Sequence, residues 1–106
     1  MNIPEITPAE FIARRDQGQP LTLLDVREPW ELDVANVPGT QHIPMGEIGG
    51  RLSEIDRQKP VVVLCRSGKR SLAVAGFLQQ NGFEVSNLAG GLLAWSRDVD
   101  ATLPTY

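Results

Sequence analysis

Val61-Val62-Val63-Leu64-Cys65-Arg66-Ser67-Gly68-Lys69-Arg70-Ser71 runs directly into Leu72-Ala73-Val74-Ala75-Gly76-Phe77-Leu78-Gln79-Gln80. The first four residues are unbroken, apolar and mostly β-branched, which suits a strand buried on both faces. The last nine read as a helix that stops at Asn81-Gly82. Between them lies a tight turn carrying Arg66, Lys69 and Arg70, three of the ten Lys and Arg in a chain whose net charge is −3. A strand that delivers a thiol to a helix N-terminus is one unit of a parallel α/β fold. It is also the setting a thiolate nucleophile needs. A free cysteine titrates near ~8.5, and helix-start amides with neighbouring cations favour its anion. Two blander readings stand beside this one. A lone cysteine at the end of a buried strand is often a small core hydrophobe. A cationic turn can also be a phosphate-binding nest with no reactive thiol.

Working outward, other strands and helices alternate with this unit. Thr7-Pro8-Ala9-Glu10 opens a helix, with Thr7 as cap, Pro8 at the first position and Glu10 completing a capping box; the helix should stop near Gly18. Leu21-Thr22-Leu23-Leu24 forms a short strand ending at Asp25, and Gln41-His42-Ile43-Pro44 another closed by proline. Met45, Ile48, Leu52 and Ile55 recur at helical spacing, although Gly49-Gly50 weakens that helix. Phe83-Glu84-Val85-Ser86-Asn87-Leu88 alternates as a strand, and Gly90-Gly91 opens a last helix through Trp95. The tail from Asp98 to Tyr106 has no periodicity and is expected along the surface. The expected architecture is α/β, a central, mainly parallel sheet flanked by helices on both faces, in a single domain over residues 1–106.

Composition narrows the function classes. A 42% apolar and 22% charged chain is that of a water-soluble globule, and no run is long enough to span a bilayer. Met1-Asn2-Ile3-Pro4-Glu5 carries neither a cationic start nor an apolar core, so a cytoplasmic location is the expectation. One cysteine and one histidine, His42, make neither an internal disulfide nor a structural zinc site, so no metal and no cofactor are expected. The acidic balance argues against nucleic acid as a partner.

Four motifs, in order, resemble the rhodanese family of sulfurtransferases. They are Leu24-Asp25-Val26-Arg27-Glu28-Pro29-Trp30-Glu31, then Val37-Pro38-Gly39 with His42-Ile43-Pro44, the loop Cys65 to Ser71, and Leu88-Ala89-Gly90-Gly91-Leu92-Leu93-Ala94-Trp95. The resemblance covers nearly the whole chain and implies a single rhodanese domain. One departure is Asn36, where the family pattern carries a histidine of structural role. The resemblance implies a thiosulfate sulfurtransferase, in which Cys65 accepts a sulfane sulfur from thiosulfate or another persulfide donor. The sulfur then passes to a thiophilic acceptor, cyanide in vitro or a cellular thiol, with a protein sulfur acceptor as a further partner.

Within that reading Cys65 is the nucleophile, and Arg66, Ser67, Gly68, Lys69, Arg70 and Ser71 bind the substrate. Loop amides stabilise the sulfur anion, the cations attract the dianionic donor, and Ser71 caps the following helix. Asp25 and Arg27 support the fold or line the pocket, His42 and Trp95 are structural, and Trp30 lies near the pocket surface. Loops around Arg27 to Asp33 and Gly46 to Arg51 would set partner choice. Two other functions stand as alternatives, a non-enzymatic binding or sulfur-carrier module and an arsenate reductase or phosphatase. Inactive modules of the family usually lack the cysteine. Phosphatases and arsenate reductases of the superfamily carry arginine sixth after the cysteine, whereas here Arg70 is fifth and Ser71 sixth, a tighter cradle better fitted to one sulfur atom.

Overall fold

The computed structural model describes residues 2–106. Five strands form one sheet: β1 (Glu5–Ile6), β2 (Thr22–Asp25), β3 (Gln41–His42), β4 (Val61–Leu64) and β5 (Val85–Leu88). Their spatial order is β1-β5-β4-β2-β3 and every pairing is parallel. The helices are α1 (Pro8–Asp16), α2 (Pro29–Val34), α3 (Lys69–Gln80) and α4 (Gly91–Asp98). None of them is long and apolar enough to cross a membrane.

β4 sits at the centre of the sheet, and all four of its residues are buried. Val61, Val63 and Cys65 join one apolar cluster with Val74, Ala75 and Leu78 of α3. Val62 and Leu64 join the other, with Phe11 of α1 and Leu92 and Trp95 of α4. The alternation of a strand thus assigns its residues to two cores, and the helices cover both sides of the sheet. β4 pairs with β2 on one flank and β5 on the other, the point where strand order departs from chain order. Crevices for ligands form at such points, beyond the carboxyl ends of the strands.

Local chemistry explains most boundaries. Thr7 Oγ1 accepts the Glu10 N–H at 3.1 Å and Glu10 Oε1 accepts the Thr7 N–H at 2.9 Å, so α1 starts on the expected capping box. Gly82, at φ +86°, lets Phe83 N–H bond back to the Leu78 carbonyl at 3.1 Å. That terminal turn holds Phe83 out of the sheet, so β5 begins at Val85.

Four expectations change. Residues 45 to 55 form two 3₁₀ turns, Met45–Gly50 and Leu52–Glu54, which still bury Ile48 and Ile55. Gly46, Gly49 and Gly50 in one short stretch favour that tighter, shorter structure over an α-helix. The segment expected as a loop around Arg27 to Asp33 contains α2, started by Pro29 and by Glu31 Oε2 accepting the Glu28 N–H at 2.8 Å. Glu5–Ile6 adds an edge strand too short to show a pattern. The tail does not simply lie along the surface. Ser96 Oγ donates to the Leu103 carbonyl at 2.8 Å, and the chain then carries Tyr106 back toward Cys65.

Candidate active site

Cys65 is the first residue beyond β4 and is 1% exposed. The start of α4 fixes its backbone. Leu92 N–H donates to the Cys65 carbonyl at 2.8 Å and Leu93 N–H to the Arg66 carbonyl at 3.1 Å. Because peptides are planar and trans, pinning the Arg66 carbonyl outward turns the following Ser67 N–H inward, toward the sulfur. The approach requires glycine. A Cβ on Gly91 would lie 2.5 Å from the Cys65 carbonyl oxygen and 2.6 Å from that of Arg66. Gly90-Gly91 therefore serves the cysteine loop rather than α4 alone.

Gly68, at φ +104°, closes the loop and occupies the N-cap of α3 with no side chain to offer. The cysteine sulfur takes the capping place. Gly68 N–H donates to Sγ at 3.1 Å, Ser67 and Ser71 N–H groups also reach it, and Ser71 Oγ lies 3.2 Å away. Burial pushes the Cys65 thiol up, but these hydrogen bonds, led by the Ser71 hydroxyl, outweigh burial and leave it below its ordinary value. Ser71 is thus not the cap of α3. It lies in the first turn, fully buried, between the sulfur and Asn87.

The three cations have different situations. Arg70 makes a bidentate pair with Glu31 at 2.7 and 2.8 Å. Arg66 donates to the Tyr106 backbone oxygen, with its guanidinium 5.2 Å from the centre of the Tyr106 ring. Lys69 is exposed and has no ion-pair or hydrogen-bond partner among the described residues.

Asp25 and Arg27 lie wholly inside the protein, paired at 2.7 Å, so Arg27 does not face solvent. Arg27 also donates to the Ala35 carbonyl at 2.8 Å, the Glu31 carbonyl at 3.3 Å and the Tyr106 hydroxyl at 3.0 Å. The Tyr106 hydroxyl in turn donates to Glu31 Oε1 at 2.7 Å. Arg27, Glu31, Arg70 and Tyr106 form one network that ties the end of β2, α2, α3 and the tail together. His42 is occupied as well. Its Nε2–H donates to the Arg27 carbonyl at 2.7 Å, a structural bond. Trp95 packs in the core against Phe11, with ring centres 5.8 Å apart, while exposed Trp30 stands edge-on to Tyr106 at 5.7 Å.

Glu31, Asn87 and Tyr106 were absent from the sequence reading of the site. Asn87 left a trace, since it occupies a position where the alternation of Phe83 and Val85 calls for an apolar residue. Glu31 left another, three residues into a proline-started helix. Tyr106 left none.

This network makes acid stability testable. The Arg70 guanidinium, foremost, holds the Glu31 carboxyl down at about 2 against an ordinary 4.5. Its folded pKa is the lower one, so the stabilisation is complete above about pH 4.5 and disappears as pH falls toward 2. Urea midpoints measured across that window are expected to fall with acidification, and Glu31→Gln is expected to flatten the slope. An unchanged slope in the variant would assign it to other groups.

Comparison with known proteins agrees with this architecture. Residues 7–98 match the family model described as Rhodanese-like domain. The chain is 38% identical over 95 residues to "Putative sulfurtransferase YtwF" of Bacillus subtilis, covering 90% of this chain and 92% of that protein. It is 36% identical over 96 residues to "Sulfurtransferase" of Allochromatium vinosum, with 90% of each chain covered. A rhodanese-like domain protein from Staphylococcus aureus superposes with a TM-score of 0.85 at 28% identity, over 98% of this chain and 99% of that one.

Proposed function

The chain belongs to the rhodanese-like domain family, and from that premise we propose that it transfers sulfane sulfur through a persulfide on Cys65. One observation carries the reading: the sulfur sits at the carboxyl end of the central strand, under converging N–H groups of Ser67, Gly68 and Ser71. That cradle stabilises a sulfur-centred anion as an oxyanion hole stabilises an alkoxide. With thiosulfate as donor, the Cys65 thiolate attacks the outer sulfur. The new S–S bond forms as the bond to the sulfonate sulfur breaks, and its electron pair leaves with sulfite. An acceptor thiolate or cyanide then attacks the outer sulfur of the persulfide, and Cys65 departs as thiolate. No net oxidant is consumed.

Arg66, Lys69 and Arg70 supply positive potential for a dianionic donor, but their roles divide. Arg70 is held by Glu31 and Arg66 by Tyr106, so Lys69 is the cation available for first encounter. Ser67, Gly68 and Ser71 act through backbone and hydroxyl on the sulfur itself. Loop length favours this chemistry over arsenate reduction or phosphate-ester hydrolysis, since Ser71 rather than an arginine stands sixth after Cys65. Steady-state thiocyanate formation from thiosulfate and cyanide tests the assignment. Lys69→Ala is expected to raise the half-saturating thiosulfate concentration severalfold and to leave the cyanide dependence unchanged. Equal effects on both substrates would remove Lys69 from donor capture. A folded, reduced wild type that turns over neither thiosulfate nor a low-molecular-weight persulfide would favour a non-enzymatic carrier or binding module.

A further inference from the structure

The Ser71 hydroxyl has two claimants. It lies 3.2 Å from the Cys65 sulfur and 2.6 Å from Asn87 Oδ1. A hydroxyl carries one proton, so it donates to one of these neighbours at a time. The Asn87 amide cannot turn over to relieve the competition. Its Nδ2 donates to the Gly68 carbonyl at 3.1 Å and to Glu5 Oε1 at 3.2 Å, both pure acceptors. Oδ1 is thereby fixed toward Ser71, in a residue only 1% exposed.

We propose that Asn87 is a positioning residue for the nucleophile, holding the Ser71 hydroxyl proton away from the sulfur while the site rests. The inference builds on the reading of Cys65 as the sulfur-carrying nucleophile. In the resting thiol every donor in the chain has an acceptor. The Cys65 S–H donates to Ser71 Oγ, Ser71 O–H to Asn87 Oδ1, and Asn87 Nδ2 to Glu5 and the Gly68 carbonyl. Loss of the thiol proton breaks this match. Either Ser71 keeps its bond to Asn87 and turns a lone pair toward the anion, or it swings to the sulfur and leaves Oδ1 buried without a donor. Both arrangements disfavour the free thiolate relative to a site in which the Ser71 hydroxyl is free to donate to it. The persulfide does not incur this penalty, because its inner sulfur is bonded on both sides and neutral, with the charge on the outer sulfur. Asn87 thus restrains the empty nucleophile between turnovers without opposing the loaded one. The charged groups placed around the sulfur are Arg66, Lys69 and Arg70 on the loop and α3, Asp25 and Arg27 at the end of β2, Glu31 on α2, and Glu5 on β1 through Asn87.

The test is the pH profile of Cys65 alkylation by iodoacetamide in the full, reduced chain, with no sulfur donor present. Asn87→Ala and the volume-keeping Asn87→Leu are each expected to lower the midpoint by about one unit, or ~tenfold faster alkylation below it. Adding Ser71→Ala to either variant is expected to abolish the shift. An unmoved midpoint in a folded Asn87 variant, or a shift that survives Ser71→Ala, would overturn the proposal. In the unsubstituted chain, the Asn87 side-chain amide resonances are expected to move with the same midpoint as the alkylation profile. Resonances that stay put across that range would overturn it too, whatever the variants do. Alkylation needs no persulfide, so a failure here with turnover intact leaves the proposed sulfur transfer standing, and the reverse outcome separates equally well.

Discussion

Cys65→Ser is expected to reduce sulfur transfer by ~10³-fold or more, since the nucleophile in a covalent mechanism is rarely replaceable by its neighbours. A serine hydroxyl at neutral pH is neither ionised nor sulfur-seeking, and the cradle that steadies a thiolate has no anion to hold. The fold should survive. A hydroxyl at this position can still accept the Gly68 N–H and exchange a hydrogen bond with Ser71, as the sulfur does at 3.1 and 3.2 Å. The expected change in stability is therefore within about 1–2 kcal/mol. Thiocyanate formation and thermal melting, measured on the same preparation, check both halves. Residual activity within tenfold of wild type in a folded Cys65→Ser chain would end the persulfide mechanism.

Arg27→Ala is expected to give the largest loss of stability of any single substitution near the site. Arg27 is fully enclosed, and it closes an ion pair with an equally enclosed Asp25 at 2.7 Å. Burial alone would push the Arg27 proton off, yet hydrogen bonds from the guanidinium to Asp25 and Tyr106 hold it on more firmly than usual. Removing one partner from a buried pair leaves the other charge uncompensated and costs about 3–5 kcal/mol. Against a total of ~5–15 kcal/mol for a domain of ordinary stability, that brings the chain close to unfolding. The carbonyls of Glu31 and Ala35 lose a donor at the same time, so α2 loosens with it. Chemical denaturation gives the number directly. The double variant Arg27→Met with Asp25→Leu removes both charges and fills the space, so it should recover much of the loss. A single Arg27→Ala cost below about 1 kcal/mol would show that the pair contributes little to stability.

The two predictions fall on opposite sides of what a sequence can show. The β4–loop–α3 unit was legible because each level of it agrees: a β-branched apolar run, a glycine where the backbone turns left-handed, and a helix stopped by Asn81-Gly82. The capping box at Thr7 was legible for the same reason, a local contact between residues three apart. The misread segments lacked such local support. Gly46, Gly49 and Gly50 blurred the period between residues 45 and 55, and two-residue β1 offers nothing to count. Pro29 and Glu31 do signal α2, but the Asp-Val-Arg segment beside them also has the pattern of a loop at a strand end.

Partnerships made across long chain separations were the least visible. The positive charge of Arg66, Lys69 and Arg70 was plain, yet nothing local says that Glu31 neutralises Arg70 or that Tyr106 returns to hold Arg66. The residue type of Ser71 favours a helix-cap role. The sulfur of Cys65 takes that role instead, because Gly68 closes the loop one turn earlier and brings the amides onto it. Asn87 decides where the Ser71 proton lies, from a strand separated from it by most of α3.

The most direct measurement is the mass of the Cys65-containing peptide after the reduced chain meets thiosulfate with no acceptor present. The account predicts a gain of one sulfur atom on Cys65 with release of one equivalent of sulfite, and loss of that sulfur when cyanide is added. An unchanged Cys65 after exposure to thiosulfate and to a low-molecular-weight persulfide, in a folded and fully reduced protein, would contradict it.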